Sequence, residues 1–317
     1  KGAYWDTEIK RAQVKGVDGF PVFTQKAATD VSYIANARKL LNMTDRIYPQ
    51  FATHNAHTVA AVLHMAEDKE KFEFQRLHGM GETLHNIIME KHGTHCRVYA
   101  PVGAHADLLA YLVRRLLENG ANSSFVNQIV DEDVPPEIVA ADPFESLSDT
   151  TLHIPTGPEL YLPTRVNSMG FDLTHTPTLD VIESARAPWK AHSWAAVPLL
   201  AVEAKPNKTV RLLNPAASSR SPGTVRNASE ADVKAALDNA AVWDAPLEHR
   251  QEVLVLAADM LESHYGEIFA LLAREAGKGL PDCVAELREA VDFLRYYACQ
   301  ATNTPPAGCF TCISPWN

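Results

Sequence analysis

The sequence predicts an α/β chain in two parts joined by a linker, on three observations. Up to residue 134, short β-rich runs alternate with amphipathic helical runs, as parallel strands with helical crossovers require. From Ser229 onward, apolar residues recur at steps of three and four, which is helical spacing. Between these parts, residues 135–204 scatter Pro, Ser, Thr and Asn and keep no helical period for long, the texture of a linker with some local structure. The expected division is 1–134, 135–204 and 205–317.

The elements follow in order. The opening Lys-Gly-Ala-Tyr-Trp-Asp reads as strand-like. Residues 47–53 read as a strand and 56–68 as a helix. Residues 72–77 are a second strand, the turn is His78-Gly79-Met80-Gly81, and a helix runs to Lys91. Residues 97–100 are a third strand, and a helix from Ala106 to Asn119 is closed by Gly120. Residues 124–129 read as one more strand. The candidate architectures are an open doubly wound sheet and a (βα)8 barrel. No Gly-x-Gly-x-x-Gly follows a strand, and about four units fall short of the eight a barrel needs.

In the second part, residues 209–213 read as a strand and 214–223 as a polar loop. Ser229 with Asp232 three residues on resembles a capping box opening a helix through Trp243. Pro246 starts a helix through Ser263, a further helix follows to Glu275, and Gly277-Lys278-Gly279 stops it. Asp282 is expected to cap a helix to Gln300, with Val284, Leu287, Val291, Leu294 and Ala298 as its apolar stripe. Past Pro305-Pro306, residues 309–317 read as strand-like.

Composition excludes several function classes. At 317 residues, 46% hydrophobic and 21% charged, the chain is globular rather than disordered. A formal charge of −10 leaves no basic footprint for nucleic acid. The longest apolar candidate, 194–202, is short and broken by Pro198. Five cysteines make no disulfide framework, so a reducing compartment is expected. The N-terminus has no signal-peptide pattern and no initiator Met, and the chain stops in a strand-like run, so an internal fragment of a longer chain is expected.

The strongest chemical signal is Tyr111 to Gly120. Leu108, Leu109, Leu112, Val113, Leu116 and Leu117 are expected as the buried stripe of this helix. Arg114 and Arg115 lie about 100° apart around its axis, and Glu118, one turn on, can orient them. Two guanidinium forks side by side make a receptor for a carboxylate, while a solvated face with helical ion pairs explains them equally well. The preceding strand ends at Tyr99, and Leu77 and His54-Asn55 end neighbouring strands. In a βα barrel such ends form the active-site face. Tyr4, Trp5 and Tyr99 could pack on a flat ligand, though core packing is the commoner role. His54-x-x-His57 lacks a third ligand of sensible spacing, so no metal site is expected. Cys309-x-x-Cys312 has no second pair and reads as two strand cysteines.

Longer stretches carry a family resemblance. They are KGAYWD at 1–6, YPQFATHNAH at 48–57, FQRLHGMG at 74–81, RVYAPVG at 97–103, 111–120, and SFVN at 124–127. Through them, residues 1–134 resemble the second half of the flavin-binding proline dehydrogenase barrel of the proline utilization A family. EAGK at 275–278, EAVDFLRYY at 289–297 and ISPWN at 313–317 resemble the start of an aldehyde dehydrogenase domain, in the order that family uses.

The resemblance implies oxidation of L-proline to pyrroline-5-carboxylate with FAD, then oxidation of glutamate semialdehyde to glutamate with NAD. Arg114 and Arg115 would clamp the substrate carboxylate, and Tyr4, Leu77 and Tyr99 would wall the ring. The flavin would be held by Lys1, Gly2, Ala3, Trp5, Thr24, Lys26, Thr53, His54, Asn55, Gln75, Arg115, Glu118 and Phe125. In the second part, Ile313, Ser314, Pro315 and Trp316 would border NAD, and Asn317 would stabilise the oxyanion. The implied partners are the two substrates and a membrane quinone as electron acceptor, in a homo-oligomeric cytoplasmic enzyme with peripheral membrane association and no nucleic acid. Because the first half of the barrel is missing, the chain alone is expected to lack both complete active sites. Two other readings compete: a non-catalytic interaction module, separated by its indifference to flavin, and a monofunctional aldehyde dehydrogenase with an N-terminal extension, which would not need Arg114-Arg115.

Overall fold

The computed structural model describes residues 4–119, 133, 135–147, 153–305 and 308–314, without the side chains of Glu118 and Asn119. The chain forms two compact units, one of residues 1–10 with 20–154 and one of residues 11–19 with 155–317.

The first unit is built on a parallel sheet. Helix α1 (Trp5–Lys15) begins in it, and α2 (Lys26–Leu41) follows. Then come β1 (Gln50–Ala52), α3 (Ala56–Met65), β2 (Glu73–Leu77), α4 (Glu82–His92), β3 (His95–Tyr99) and α5 (His105–Asn119). The described strands pair in chain order, β1 with β2 and β2 with β3, all parallel. Parallel neighbours need a crossover between them, and α3 and α4 supply it, as the alternating pattern predicts. A one-turn helix, α6 (Pro136–Val139), lies beyond.

Phe51, Val59, Val62, Phe72, Phe74 and Ala37 form the core of this unit. Phe72 meets Phe51 and Phe74 edge-on, with ring centroids 5.8 and 5.4 Å apart. Each fully buried phenylalanine contributes roughly 1.5–3 kcal/mol against exposure. This core fixes the register, with Ala52 opposite Gln75 and Leu77 opposite Tyr99, so β2 and β3 end level and β1 ends two residues short of them. At the other end, the buried Glu73 accepts from Gln50 at 2.6 Å and pairs with Arg97.

Two expectations fail here. Tyr4 is a turn residue and Trp5 begins a helix, so from Tyr4 on the opening is not strand-like, its first three residues lying outside the described residues; the Trp5 indole donates to Phe23 O at 2.8 Å, which anchors the helix start. The leucine stripe of α5 is not buried: Leu109, Leu112, Val113, Leu116 and Leu117 are 43 to 73% exposed. Helical periodicity marks an apolar face, but burial needs a partner for that face, and spacing supplies none. The strand expected at 124–129 lies outside the described residues.

The second unit is helical with a small mixed sheet. It contains α7 (Thr176–Arg186), β4 (Trp194–Ala196), β5 (Thr209–Arg211), β6 (Gly223–Arg226), α8 (Glu230–Asp238), α9 (Leu247–Ser263), α10 (Tyr265–Glu275) and α11 (Leu280–Gln300). β6 pairs parallel with β4 and antiparallel with β5. Its core joins Ile182, Ala258, Phe269, Cys283, Val284, Leu287 and Val291. Within the stretch expected as a linker, Ile182 is fully buried and Phe171 and Leu173 pack against this core. Residues 11–19 also belong to this unit: Gly170 N donates to Gly16 O at 2.8 Å, and Arg288 Nη1 to Val14 O at 2.8 Å.

The capping box forms as the sequence predicts, with Ser229 and Asp232 bonding reciprocally at the start of α8. That helix stops at Asp238 rather than continuing to Trp243: Asn239 closes it, its backbone N–H and its side-chain amide both donating to Ala235 O, at 3.1 and 2.8 Å, and the chain restarts in α9 after Pro246. α11 begins at Leu280 on Gly279, so Asp282 is an acidic first-turn residue and not the cap. Its stripe is buried at Val284, Leu287, Val291 and Ala298. Residues 308–314 carry no strand.

Candidate functional site

The C-terminal strand ends of the first unit border a cavity of about 360 Å³ lined by Ala52, Thr53, His54, Gln75, Arg76, Leu77, Tyr99 and Arg115. β1 delivers Ala52 to His54, β2 delivers Gln75 to Leu77, β3 ends in Tyr99, and α5 places Arg115. Parallel strands bring such residues together because their C-terminal ends all open on the same side.

Local hydrogen bonds set the turn after β1. Asn55 N donates to Thr53 Oγ1 at 3.1 Å, and Asn55 Oδ1 accepts from Thr58 N at 3.2 Å, capping α3. The His54 Nε2 accepts the Leu77 backbone N–H at 3.1 Å. Its proton therefore sits on Nδ1, since a neutral imidazole has one donor and one acceptor. Burial, then the neighbouring His85, Arg115 and Arg76, lower the His54 pKa to about 4, so the ring is neutral at physiological pH.

The cavity holds two guanidinium groups. Arg76 is largely buried, donates to Leu77 O at 3.3 Å and lies 3.4 Å from Glu82 Oε1. Arg115 rests over the Tyr111 ring, 5.3 Å from its centroid. Cationic heads beside the apolar Leu77 and Tyr99 suit a small anion with an apolar body.

A second cavity of about 240 Å³ lies across the same turn, lined by Lys26, Asp30, Asn55, His57, Ile138 and Ser146 among others. Lys26 forms an ion pair with Asp30 one helical turn on.

The sequence-predicted residues thus divide. Thr53, His54, Gln75, Leu77, Tyr99 and Arg115 share the first cavity, while Lys26 and Asn55 line the second. Arg114 is half-buried beside Arg115 on α5 and is not among the described residues lining the first cavity. Tyr4 is 57% exposed, and Trp5 itself makes the link to Phe23, the residue before Thr24. Lys1, Gly2, Ala3, Phe125, Pro315, Trp316 and Asn317 lie outside the described residues, as does the Glu118 side chain. Ile313, 90% exposed, and Ser314 sit in irregular chain of the second unit. Among the described residues no group of three or more His, Cys, Asp or Glu converges to hold a metal.

Sequence reasoning missed Arg76 and His85. Arg76 stands between Gln75 and Leu77, at the same strand end, which was the available signal. His85 lies behind the site on α4, fully buried, and nothing in its spacing announces that.

The family described as Proline dehydrogenase matches residues 1–128, and the Aldehyde dehydrogenase family matches residues 201–317. The chain is 45% identical, over its whole length, to the Bifunctional protein PutA of Salmonella typhimurium, of which it covers 26%. It is 43% identical to the Bifunctional protein PutA of Rhizobium meliloti, again along the whole chain and over 27% of that protein. Among solved structures, a bifunctional proline utilization A protein superposes with a TM-score of 0.79 at 45% identity, over 95% of this chain and 29% of that one. The proline utilization A of Bdellovibrio bacteriovorus inactivated by N-propargylglycine gives a TM-score of 0.81 at 32% identity, over 94% and 32% of the two chains. The chain spans about a quarter of the length of the curated relatives it matches.

Proposed function

The chain belongs to the proline utilization A family of bifunctional proteins, and on that premise we propose that its first unit carries part of a proline dehydrogenase site and its second the start of an aldehyde dehydrogenase domain. The observation that carries the reading is the cavity at the strand ends, where Arg115 and Arg76 stand beside Leu77 and Tyr99. L-proline has the matching chemistry, one carboxylate on a small apolar ring. The unit is then a segment of a (βα)8 barrel, with the cavity on its active-site face.

In this reading Arg115, with Arg114 beside it, binds the proline carboxylate, and Leu77 and Tyr99 hold the ring and narrow the access of water. Fixing the ring by its carboxylate turns binding energy into orientation of C5. His54 is neutral and its Nε2 is occupied by the Leu77 amide, so it supplies an N–H donor and no base.

The donor set also fits FAD: Thr53, His54 and Gln75 offer polar edges for a flat heterocycle in one cavity, and Lys26 and Asn55 line the other, where an anionic linker would compete with Asp30 for Lys26. When bound, the flavin supplies the hydride acceptor that no amino-acid side chain can replace. For the second oxidation, with NAD and glutamate semialdehyde, the described residues contribute Ile313 and Ser314, and Asn317 is assigned by resemblance. Electron transfer to a membrane quinone, homo-oligomerisation and a cytoplasmic setting with peripheral membrane association belong to the same reading. No helix among the described residues is long and apolar enough to cross a membrane.

The test is a titration of the isotope-labelled chain by NMR with L-proline and with pyrrolidine, which lacks the carboxylate. The amides of Leu77 and Tyr99 should shift with L-proline, pyrrolidine should not reproduce the shifts, and Arg115→Met should remove them. Equal responses to both ligands, or to neither, would overturn the reading.

A further inference from the structure

Behind the cavity lies a second histidine that lines neither pocket. His85, in the first turn of α4, is fully buried, and its backbone N–H donates to Gly81 O at 3.1 Å. Its Nε2 lies 3.0 Å from the Thr53 carbonyl oxygen. A carbonyl only accepts, so Nε2 carries the proton and Nδ1 is the unprotonated nitrogen. Nδ1 is buried and has no hydrogen-bond partner among the described residues. The ring packs against Phe74, with centroids 5.8 Å apart, and meets His54 edge-on at 6.5 Å.

We propose that His85 is a positioning residue: its Nε2–H holds the Thr53 carbonyl and thereby sets the Thr53–Asn55 turn, so that the His54 ring meets the Leu77 amide and completes the cavity wall. The two histidines carry complementary tautomers, Nε2–H in His85 and Nδ1–H in His54. One donates to the end of β1, and the other accepts from the end of β2. Together they tie two adjacent strand ends across the mouth of the sheet, where the ladder itself ends at Ala52 and Gln75. Packing alone would not need this: a phenylalanine fills a similar volume but leaves the Thr53 carbonyl without its donor. Gly81 makes room for the pair, since a Cβ there would lie 2.9 Å from His54 Cδ2 and 3.4 Å from His85 Cδ2. Burial, opposed by the bond to Thr53, lowers the His85 pKa, and Arg76 acts in the same direction as burial. The ring is therefore a neutral donor at physiological pH. The inference rests on the proposed function only for what the cavity binds.

Amide hydrogen exchange on the full chain tests it, with Leu77 as reporter and Phe74 of the same strand as control. In His85→Phe the Leu77 amide should exchange about tenfold faster while Phe74 stays within about twofold, as local opening rather than global unfolding requires. His85→Gln, whose amide nitrogen stands near the position of Nε2, should restore most of the Leu77 protection. Unchanged Leu77 exchange in His85→Phe, parallel acceleration of Phe74, or no rescue by glutamine would each overturn the proposal. Should His85→Phe fail to fold, two-bond ¹H–¹⁵N spectra of the wild-type histidines decide. Nε2–H at His85 with Nδ1–H at His54 upholds the pair, and Nδ1–H at His85 overturns it. Variants that show this exchange pattern beside a wild-type chain that ignores L-proline would overturn the functional reading and leave His85 as the positioning residue.

Discussion

The imidazole of His54 accepts the backbone N–H of Leu77 at 3.1 Å, joining the ends of two parallel strands through a side chain where the sheet ladder has run out. That bond requires an unprotonated Nε2, so it exists only while the ring is neutral.

The first prediction is therefore a pH dependence of stability. The folded pKa of about 4 lies below the ordinary 6.5, so the unfolded chain takes up the proton first as pH falls. The contribution of His54 is complete above about pH 6.5 and declines down to about pH 4. Discounted for the partly exposed ring, the loss amounts to about 1–2 kcal/mol. Urea unfolding of the first unit at pH 7 and pH 4.5 should show it, and His54→Gln should flatten the difference. An equal pH slope in the variant would count against the assignment.

Gly81 gives a second prediction. It sits at φ +64 and faces the His54 ring, so alanine there meets both an unfavourable backbone conformation and a contact of 2.9 Å. Gly81→Ala should destabilise the first unit by about 1–2 kcal/mol. It should also shift the Leu77 amide resonance, because the His54 ring has to move. Gly79, at φ +77 with open space around it, should show the backbone cost alone and no Leu77 shift when replaced by alanine.

How far the sequence reached follows from which interactions are local. The Ser229–Asp232 box was legible because both partners lie within one helical turn. The alternation of strands and helices from Gln50 to Tyr99 was legible because parallel strands must be separated by crossovers. Burial was less legible. The stripe from Leu109 to Leu117 has perfect helical spacing yet lies exposed, whereas Ile182, in a stretch with little pattern, is fully buried. In the site, residues belonging to long matching stretches, such as His54 and Arg115, could be named in advance. His85 could not, because its role depends on a carbonyl 32 positions away that only the fold brings to it.

The third prediction concerns the start of α8. Ser229 Oγ accepts from Asp232 N at 3.2 Å, and the Asp232 carboxylate accepts from Ser229 N at 2.8 Å and Lys205 N at 2.6 Å. Ser229→Ala should cost about 1 kcal/mol of stability in the second unit. The backbone donors from Ser229 and Lys205 hold the Asp232 pKa below the usual carboxylate value of 3.8. This support is complete above that value and fades only in stronger acid, the same direction as the His54 effect but in a lower pH window. Thermal melts between pH 3 and 7 that show no Asp232→Asn difference in this slope would refute it.

The last prediction rests on Arg274, which ties α10 to the loop before β4. Its Nη1 donates to Trp189 O at 2.9 Å and His192 O at 2.6 Å, and its guanidinium lies 4.9 Å from the Trp194 ring. Trp189 and Trp194 lie nearly parallel 6.4 Å apart with His192 edge-on to both, so the cation closes an aromatic cluster already filled by a side chain of the chain itself. Methionine would keep the apolar stem and remove every donor, stranding the carbonyls of Trp189, His192 and Ser221, the last reached by Nη2 at 3.4 Å, at a cost of about 2–3 kcal/mol. Lysine would restore the charge but not the planar fork, so Arg274→Lys should recover less than half of that loss. Tryptophan fluorescence should shift to the red in Arg274→Met as water reaches the indoles. Unfolding curves for the two variants decide between geometry and charge, since equal stability of Arg274→Lys and the parent would show that charge alone suffices.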